Sequence, residues 1–392
     1  MSEIANRLAA FQALLAKHDV DVAIIRQNAD LYYFTGTVQD AHLIVPASGQ
    51  PVFMVRREVW RAEAQSPIRP VVPLRSMKAL PQSVIDACGG STPKKLGMEL
   101  DVLPANSFFF YDEKLFPKQQ IVDISGLARQ ARMIKSPWEL EMMRGAAAIS
   151  TELANAVPRL LREGMTELDL SAELELVARK AGHLGIIRMR TFNMDMYFGH
   201  VLSGADAALP SYADAPTGGP GFSPAFGQGP GRRAIRTGEI VSIDTMMSYH
   251  GYLNDQTRNF CIGPPPDRLA EAYRLVKEIH RRFREIARPG AVTGDLFNTV
   301  SDWVRDSSLS DYFMGHGESR VSFVGHGLGI EVDEFPFIAQ GQKLVVEEAM
   351  TLAFEPKFII PELGIAGLEN TYAVTPDGLE SLNDATEELI IL

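Results

Sequence analysis

At 392 residues, 46% hydrophobic and 22% charged, the chain has the composition of a globular protein too long for a single core, so two domains are expected. A formal net charge of -11 argues against a nucleic-acid scaffold, and two cysteines, Cys88 and Cys261, imply no disulfide framework and fit a reducing compartment. The opening MSEIANRLAAF reads as an amphipathic helix rather than a signal peptide, and no run of about 20 apolar residues follows, so a cytoplasmic protein without a membrane partner is expected.

Ile4, Leu8, Phe11, Leu14 and Leu15 recur at helical spacing, and Val20–Ile25 then reads as a buried strand. Leu31–Gly36, His42–Pro46 and Pro51–Val55 follow as apolar segments, the last two separated by the turn Ala47–Gln50. Val71–Leu74 and Lys95–Leu100 continue the alternation, which makes residues 1–135 an α/β domain. At Ser136-Pro137 the pattern changes to a long helix, Pro being suited to the first turn, so the second domain is taken as 136–392.

That second domain carries a faint repeat. Arg162–Leu170 and Arg288–Leu296 align Gly164 with Gly290, Asp169 with Asp295 and Leu170 with Leu296, and each stretch lies between two helical patterns. A duplicated unit of this kind implies two pseudo-symmetric halves, each packing helices on one face of a shared antiparallel sheet. Residues 216–233 are rich in Gly and Pro and read either as a long surface connection or as a lid; the ending of a phosphate loop is missing.

The chemistry concentrates on Val241–Cys261. An apolar run ending in Asp244 turns through Tyr249-His250-Gly251 into a second run bearing Asp255, which reads as two antiparallel strands with the carboxylates on facing segments. A turn cap and a pairing with Arg258 would explain two isolated aspartates. Three further candidate ligands follow in apolar or glycine-rich settings: His326 in Phe323–Gly329, Glu355 in Thr351–Pro356 and Glu369 in Ile365–Val374. Four carboxylates and an imidazole in one core repel and desolvate one another unless a cation lies among them. Oxygen donors with one imidazole and no thiolate favour Mn, Co, Fe or Zn, and two such ions can share a hydroxide.

The order Asp, Asp, His, Glu, Glu, with Asp-x10-Asp, GHGLG around the histidine and Glu-Pro at the first glutamate, resembles the pita-bread metallopeptidase family, which takes in prolidase, aminopeptidase P and creatinase. The resemblance implies a creatinase/prolidase-like N-terminal domain, a duplicated α+β catalytic domain, two divalent metal ions and a homodimer. It makes Asp244 terminal on one ion, Asp255 and Glu369 bridging, and His326 and Glu355 the remaining ligands, with Glu355 or Glu369 shuttling the proton. The implied reaction is hydrolysis of a peptide or amide bond in a short peptide or small molecule by the metal-bridging hydroxide.

Outside these ligands the chain departs from the peptidase pattern. Ser211 stands where the family has a histidine, Asp333 stands before Glu334 where it has another, and Gly367 stands where it has an arginine. Those histidines orient and stabilise a peptide carbonyl, so their absence opens a second reading: a non-peptidase member that cleaves C–N or C–S bonds, similar to creatinase, ectoine hydrolase or the dimethylsulfoniopropionate lyase branch. Asp333 is then a candidate base, and His200 and His316 are candidates to replace the missing imidazoles. A catalytically silent binding module is the third reading, disfavoured because all five ligands are present.

Overall fold

The computed structural model describes residues 3–392, which fall into two compact units, one ending at Arg132 and one spanning Met133–Leu392. Lys135, the expected boundary, is fastened to the second unit. Its ammonium lies 3.0 Å from Glu334 Oε2 in a buried pair, and its backbone N–H donates to the Ala349 carbonyl at 2.8 Å.

In the first unit, β1 (Val22–Ile25), β2 (Ala41–Pro46), β3 (Val52–Val55), β4 (Val71–Pro73), β5 (Lys95–Met98) and β6 (Gln120–Asp123) form one sheet in the order β4-β3-β2-β1-β5-β6. The meander β1–β3 is antiparallel and the outer pairs are parallel, each reached through helical crossovers. The helix Glu3–Lys17 buries Leu8, Phe11 and Leu15, as its spacing requires. Leu31–Gly36 departs from the strand-like reading: it closes the helix Asn28–Thr35, and Gly36 ends it with a φ of 79°, a C-cap that suits glycine. The aromatics Tyr33 and Phe34 face its interior.

In the second unit, the helix Pro137–Leu160 starts with Ser136 as N-cap and Glu139 closing a capping box. With the helix Glu167–Lys180 it covers a four-stranded sheet of order β17-β9-β8-β7, built from β7 (Gly199–Ser203), β8 (Ile240–Tyr249), β9 (Tyr252–Cys261) and β17 (Ile390–Ile391). The helices Asp267–Ile286 and Thr293–Arg305 cover a five-stranded sheet of order β11-β10-β12-β15-β16, from β10 (Phe323–Gly327), β11 (Glu334–Ala339), β12 (Thr351–Phe354), β15 (Asn370–Thr375) and β16 (Gly378–Ser381). Between β12 and β15 the hairpin β13 (Lys357–Ile360) and β14 (Gly364–Gly367) stands apart as a two-stranded sheet.

The repeat in the sequence is a repeat in space. Gly164 and Gly290 have φ of 84° and 94°, each turns the chain between two helices, and their N–H groups donate to Ile235 and Val346 carbonyls. Single antiparallel bridges follow at matching places, Thr166 with Ala234 and Val292 with Val345. The halves do not share one sheet, contrary to what the repeat implied: each has its own, and among the described residues only a single bridge, Thr257 with Glu369, joins the two where the halves meet.

Among the described residues no helix is long and apolar enough to cross a membrane, and both cysteines are free. The second half's core is anchored by Phe283 stacked on Phe354, ring centroids 3.6 Å apart and planes within 6°, both rings buried. Phe283→Ala should lower the unfolding free energy of this unit by about 3–5 kcal/mol, measured by denaturant unfolding followed by tryptophan emission. A loss under 1 kcal/mol would mean that the stack can be replaced by relaxation of its neighbours.

Candidate functional site

The site is built on the hairpin of β8 and β9. Tyr249 pairs with Tyr252, and the two turn residues His250 and Gly251 have φ of 47° and 82°, the left-handed pair that a tight hairpin turn needs. This register sets Asp244 opposite Thr257 and Met246 opposite Asp255, so the two aspartates lie diagonally across the pair on one face. Every residue of β9 is buried. The same face carries Thr257, whose hydroxyl donates to Glu369 Oε2 at 2.8 Å, and Asn259, whose side chain accepts from Gly367 N and donates to Ser242 Oγ. Arg258 is not the partner of Asp255. Its guanidinium donates to the carbonyls of Thr257, Glu369 and Ala385 and to Asn370 Oδ1, tying β9 to the start of β15.

His326 comes from β10, paired on one side with Phe337 of β11 and on the other with Ala353 of β12. The flanking glycines allow this close packing: a Cβ at Gly325 would stand 2.3 Å from the Ala353 carbonyl and one at Gly327 2.2 Å from that of Phe335. The imidazole Nδ1 lies 3.0 Å from the carbonyls of both Gly327 and Val332, which requires Nδ1 to carry a proton and turns Nε2 inward; burial opposes a charge on the ring, but Asp333, Glu355 and Glu369 outweigh it and raise the pKa. Nε2 is 3.7 Å from Glu355 Oε1.

Asp255, His326 and Glu369 are buried together, with one donor atom from each within 4.8 Å of the others. Asp255 Oδ1 is fully buried and has no hydrogen-bond partner among the described residues. A buried carboxylate oxygen without a partner, an inward imidazole nitrogen and a second carboxylate form a donor set that fits a divalent cation.

Asp244 and Glu355 are held differently. Between them lies the ammonium of Lys357, 2.8 Å from Asp244 Oδ2, 2.7 Å from Glu355 Oε2 and 3.5 Å from Glu369 Oε2, with its side chain 2% exposed. Burial opposes its charge, but the three carboxylates outweigh burial and raise its pKa well above the ordinary lysine value. Burial likewise works against the charge on Asp244, while Lys357 and then His200 hold its carboxyl below the usual range. The other two acids go the opposite way: burial, reinforced by neighbouring carboxylates, pushes Glu369 up to about 8 and Asp255 well above an ordinary aspartate.

The remaining predicted residues are placed unequally. His200 on β7 pairs with Asp244, its Nε2 lies 3.2 Å from Gln228 Oε1, and burial lowers its pKa, so it is neutral at pH 7. Gln228 belongs to the Gly/Pro segment 216–233, which is therefore a wall of the site on this side; Gly231 fixes it by donating to the buried Glu167. Asp333 stands behind His326, its Oδ1 3.8 Å from Nδ1, on the side of the ring away from Glu355. His316 is exposed and stacked on Tyr312, with ring centroids 5.5 Å apart, and no contact brings it to the carboxylates. Ser211 packs on Gly218, where a Cβ would come within 2.2 Å of its own. Lys357 and Gln228 were missed in the sequence. A lysine within the apolar run Phe354–Ile360, two residues after Glu355 and so on its face of an extended chain, was the available signal for the first.

The family model for metallopeptidase family M24 matches residues 141–376, more than half of the chain. The chain belongs to metallopeptidase family M24. A second model, the creatinase/prolidase N-terminal domain, matches residues 7–134. The two units are thus the α/β and pita-bread parts that the resemblance implied. This M24 chain is 25% identical to a Xaa-Pro dipeptidase of Pyrococcus furiosus over 98% of its own length and 99% of the relative's. It is 27% identical to a probable dipeptidase, PepE, of Mycobacterium tuberculosis over 99% and 96%. Among solved structures it matches the Xaa-Pro dipeptidase of Bacillus anthracis with a TM-score of 0.84 at 24% identity, covering 99% of this chain and 100% of that one. The prolidase of Pyrococcus horikoshii matches with a TM-score of 0.81 at 23% identity, over 98% and 100%; both structural likenesses speak to the fold.

The raised carboxyls of Glu369 and Asp255 have a consequence for the ion-free protein. An unfolded chain releases these protons near pH 4, whereas the folded one retains the Glu369 proton until about pH 8. Between those limits the folded state binds more protons, so their contribution to stability is present at low pH and is lost as pH rises. Chelator-treated wild-type protein should therefore lose melting temperature, relative to Glu369→Gln, as pH goes from 5 to 8. A difference that stays flat or reverses over that interval would show that Glu369 is ionised in the folded protein.

Proposed function

We propose that this M24 enzyme is a metal-dependent hydrolase that cleaves a peptide or amide bond in a short peptide or similarly small substrate. The observation that carries the proposal is the convergence of Asp255 from β9, His326 from β10 and Glu369 from the residue before β15, with an unpartnered Asp255 oxygen among them. The family, and relatives named as dipeptidases over nearly the whole chain, support the same reaction class.

Asp255, His326 and Glu369 would hold the ion, with Asp244 and Glu355 beside it. A divalent ion bound there supplies Lewis acidity and lowers the pKa of water in its reach. Glu355 is the proton carrier in this reading. One of its oxygens is fixed by Lys357 and the other faces His326, so the carboxylate is oriented toward the imidazole. Asp333 is a positioning residue: its carboxylate and the carbonyls of Gly327 and Val332 hold the Nδ1 side of His326. His200, whose Nε2–H is spent on Gln228 Oε1, lines the wall of the site beside Asp244 and, being neutral, leaves only the Nδ1 lone pair as an acceptor for a substrate N–H or O–H. Nothing in the placement of His316 supports a catalytic part for it.

A specific observation favours a second reading, small-molecule C–N or C–S cleavage. Two of the positions that differ from the peptidase pattern lie at the cluster: Asp333 stands beside His326, and Gly367 faces Lys357, where a Cβ would come within 2.6 Å of Lys357 Cγ.

Assay of the manganese- and cobalt-loaded enzyme on Xaa-Pro dipeptides, Xaa-Pro-Xaa tripeptides, ureido compounds and sulfonium compounds separates the two readings. Peptide turnover is expected to vanish with chelator and with Asp255→Ala. Activity confined to the sulfonium or ureido compounds would replace the first reading by the second. Asp333→Asn should lower ion affinity or activity by roughly 10–100-fold and leave the shape of the pH profile unchanged. Loss of the basic limb of that profile would instead make Asp333 the general base.

A further inference from the structure

Lys357 occupies a position that a chain with two adjacent divalent ions would need for a metal. Its nitrogen is within 3.5 Å of three of the four carboxylates, and the closest two, Asp244 and Glu355, are the acids outside the cation-ready trio. An ammonium has three N–H donors and no lone pair when charged, so it meets carboxylates as a small cation does. The two sets therefore divide the cluster between them: Asp244 and Glu355 are compensated by a covalently attached cation, while Asp255 retains an oxygen without a partner.

The stem of Lys357 is as constrained as its head. Lys357 is paired with Gly367 across β13 and β14, and a Cβ at 367 would stand 2.6 Å from Lys357 Cγ and 3.4 Å from its Cβ and Cδ. The lysine thus lies in the room made by the missing side chain at the very position where the peptidase pattern has arginine. Its backbone is held as well: the Met314 N–H donates to the Lys357 carbonyl at 2.9 Å, which fixes β13 against the segment before β10. A flexible four-carbon chain confined in this way, with both neighbouring carboxylates within hydrogen-bond distance, is a built part of the centre rather than a solvated side chain that has drifted inward.

We propose that the Lys357 ammonium takes the place of one of the two divalent ions, so that the centre binds a single ion on Asp255, His326 and Glu369. The proposal rests on the metal reading given above and changes its stoichiometry. A shared hydroxide between two metals, the arrangement that the resemblance implied, then has no second metal to bridge to, and Glu355 answers to a lysine instead of an ion.

The test is metal content and not turnover. Full-length wild type, Lys357→Met and Lys357→Arg are dialysed against excess manganese, freed of unbound ion and analysed by elemental mass spectrometry, with electron paramagnetic resonance to distinguish isolated from spin-coupled manganese. Wild type and Lys357→Arg should hold one ion per chain with an uncoupled spectrum, and Lys357→Met should hold two with a coupled one. Two ions in wild type, or equal content in wild type and a folded Lys357→Met, overturn the proposal. If Lys357→Met does not fold, the wild-type count alone decides: one supports, two overturns. A wild type without metal sinks the metal reading itself, and the lysine proposal is then judged by whether Lys357→Met gains an ion that wild type lacks.

Discussion

Four carboxylates that share one buried space cannot all remain ionised without compensation, and the second unit is arranged around that constraint. Burial of a single ionised carboxylate costs several kcal/mol even after relaxation, and like charges at close range add to it. The protein answers in two ways within a few ångströms. Lys357 keeps Asp244 charged, while Asp255 and Glu369, farther from sufficient positive charge, are driven toward their protonated forms. A site that is half-neutralised by its own lysine and half-protonated is ready to exchange protons for a cation, because ion binding requires those protons to leave.

Holding such groups in place requires rigid backing, and the duplicated architecture provides it from both sides. The hairpin β8–β9 presents two aspartates from one half, and the strands β10, β12 and β15 present the histidine and glutamates from the other. Behind Glu369, His280 is a buried histidine with both ring nitrogens satisfied, by the Leu368 carbonyl and the Tyr372 hydroxyl, and burial lowers its pKa to about 3. It is a neutral strut between helix and sheet. Arg258 does the corresponding work from β9, its two terminal nitrogens donating to backbone carbonyls and to Asn370 near the same glutamate. The residues around the chemistry are thereby fixed by groups whose own titration lies far from pH 7 or whose charge is never lost.

Much of this was legible from residue types because acids and a histidine inside apolar strands have few structural explanations. The two-domain division, the hairpin turn at His250-Gly251 and the repeat at Gly164 and Gly290 could be read from local chemistry, since each depends on backbone conformations that a short sequence declares. Leu31–Gly36 could not: an apolar run of that length suits either a strand or a short helix, and the C-cap role of Gly36 decides only once the neighbouring turn is known. The placement of His316, Asp333 and Lys357 was hidden for another reason. Each depends on which face of a segment meets a partner distant in sequence, and the pairing of Lys357 with Gly367 becomes visible only when β13 and β14 are laid side by side.

That pairing also links the departures from the peptidase pattern, which look independent in the sequence. Gly367 lacks a side chain, and Lys357 fills the volume a side chain there would claim. The family pattern has an arginine two residues before the last glutamate; here that position is glycine, and a positive charge comes instead from the facing residue, Lys357, whose ammonium lies between Asp244 and Glu355. One facing pair thus accounts for both features: the missing side chain at 367 leaves the room, and the stem of Lys357 occupies it.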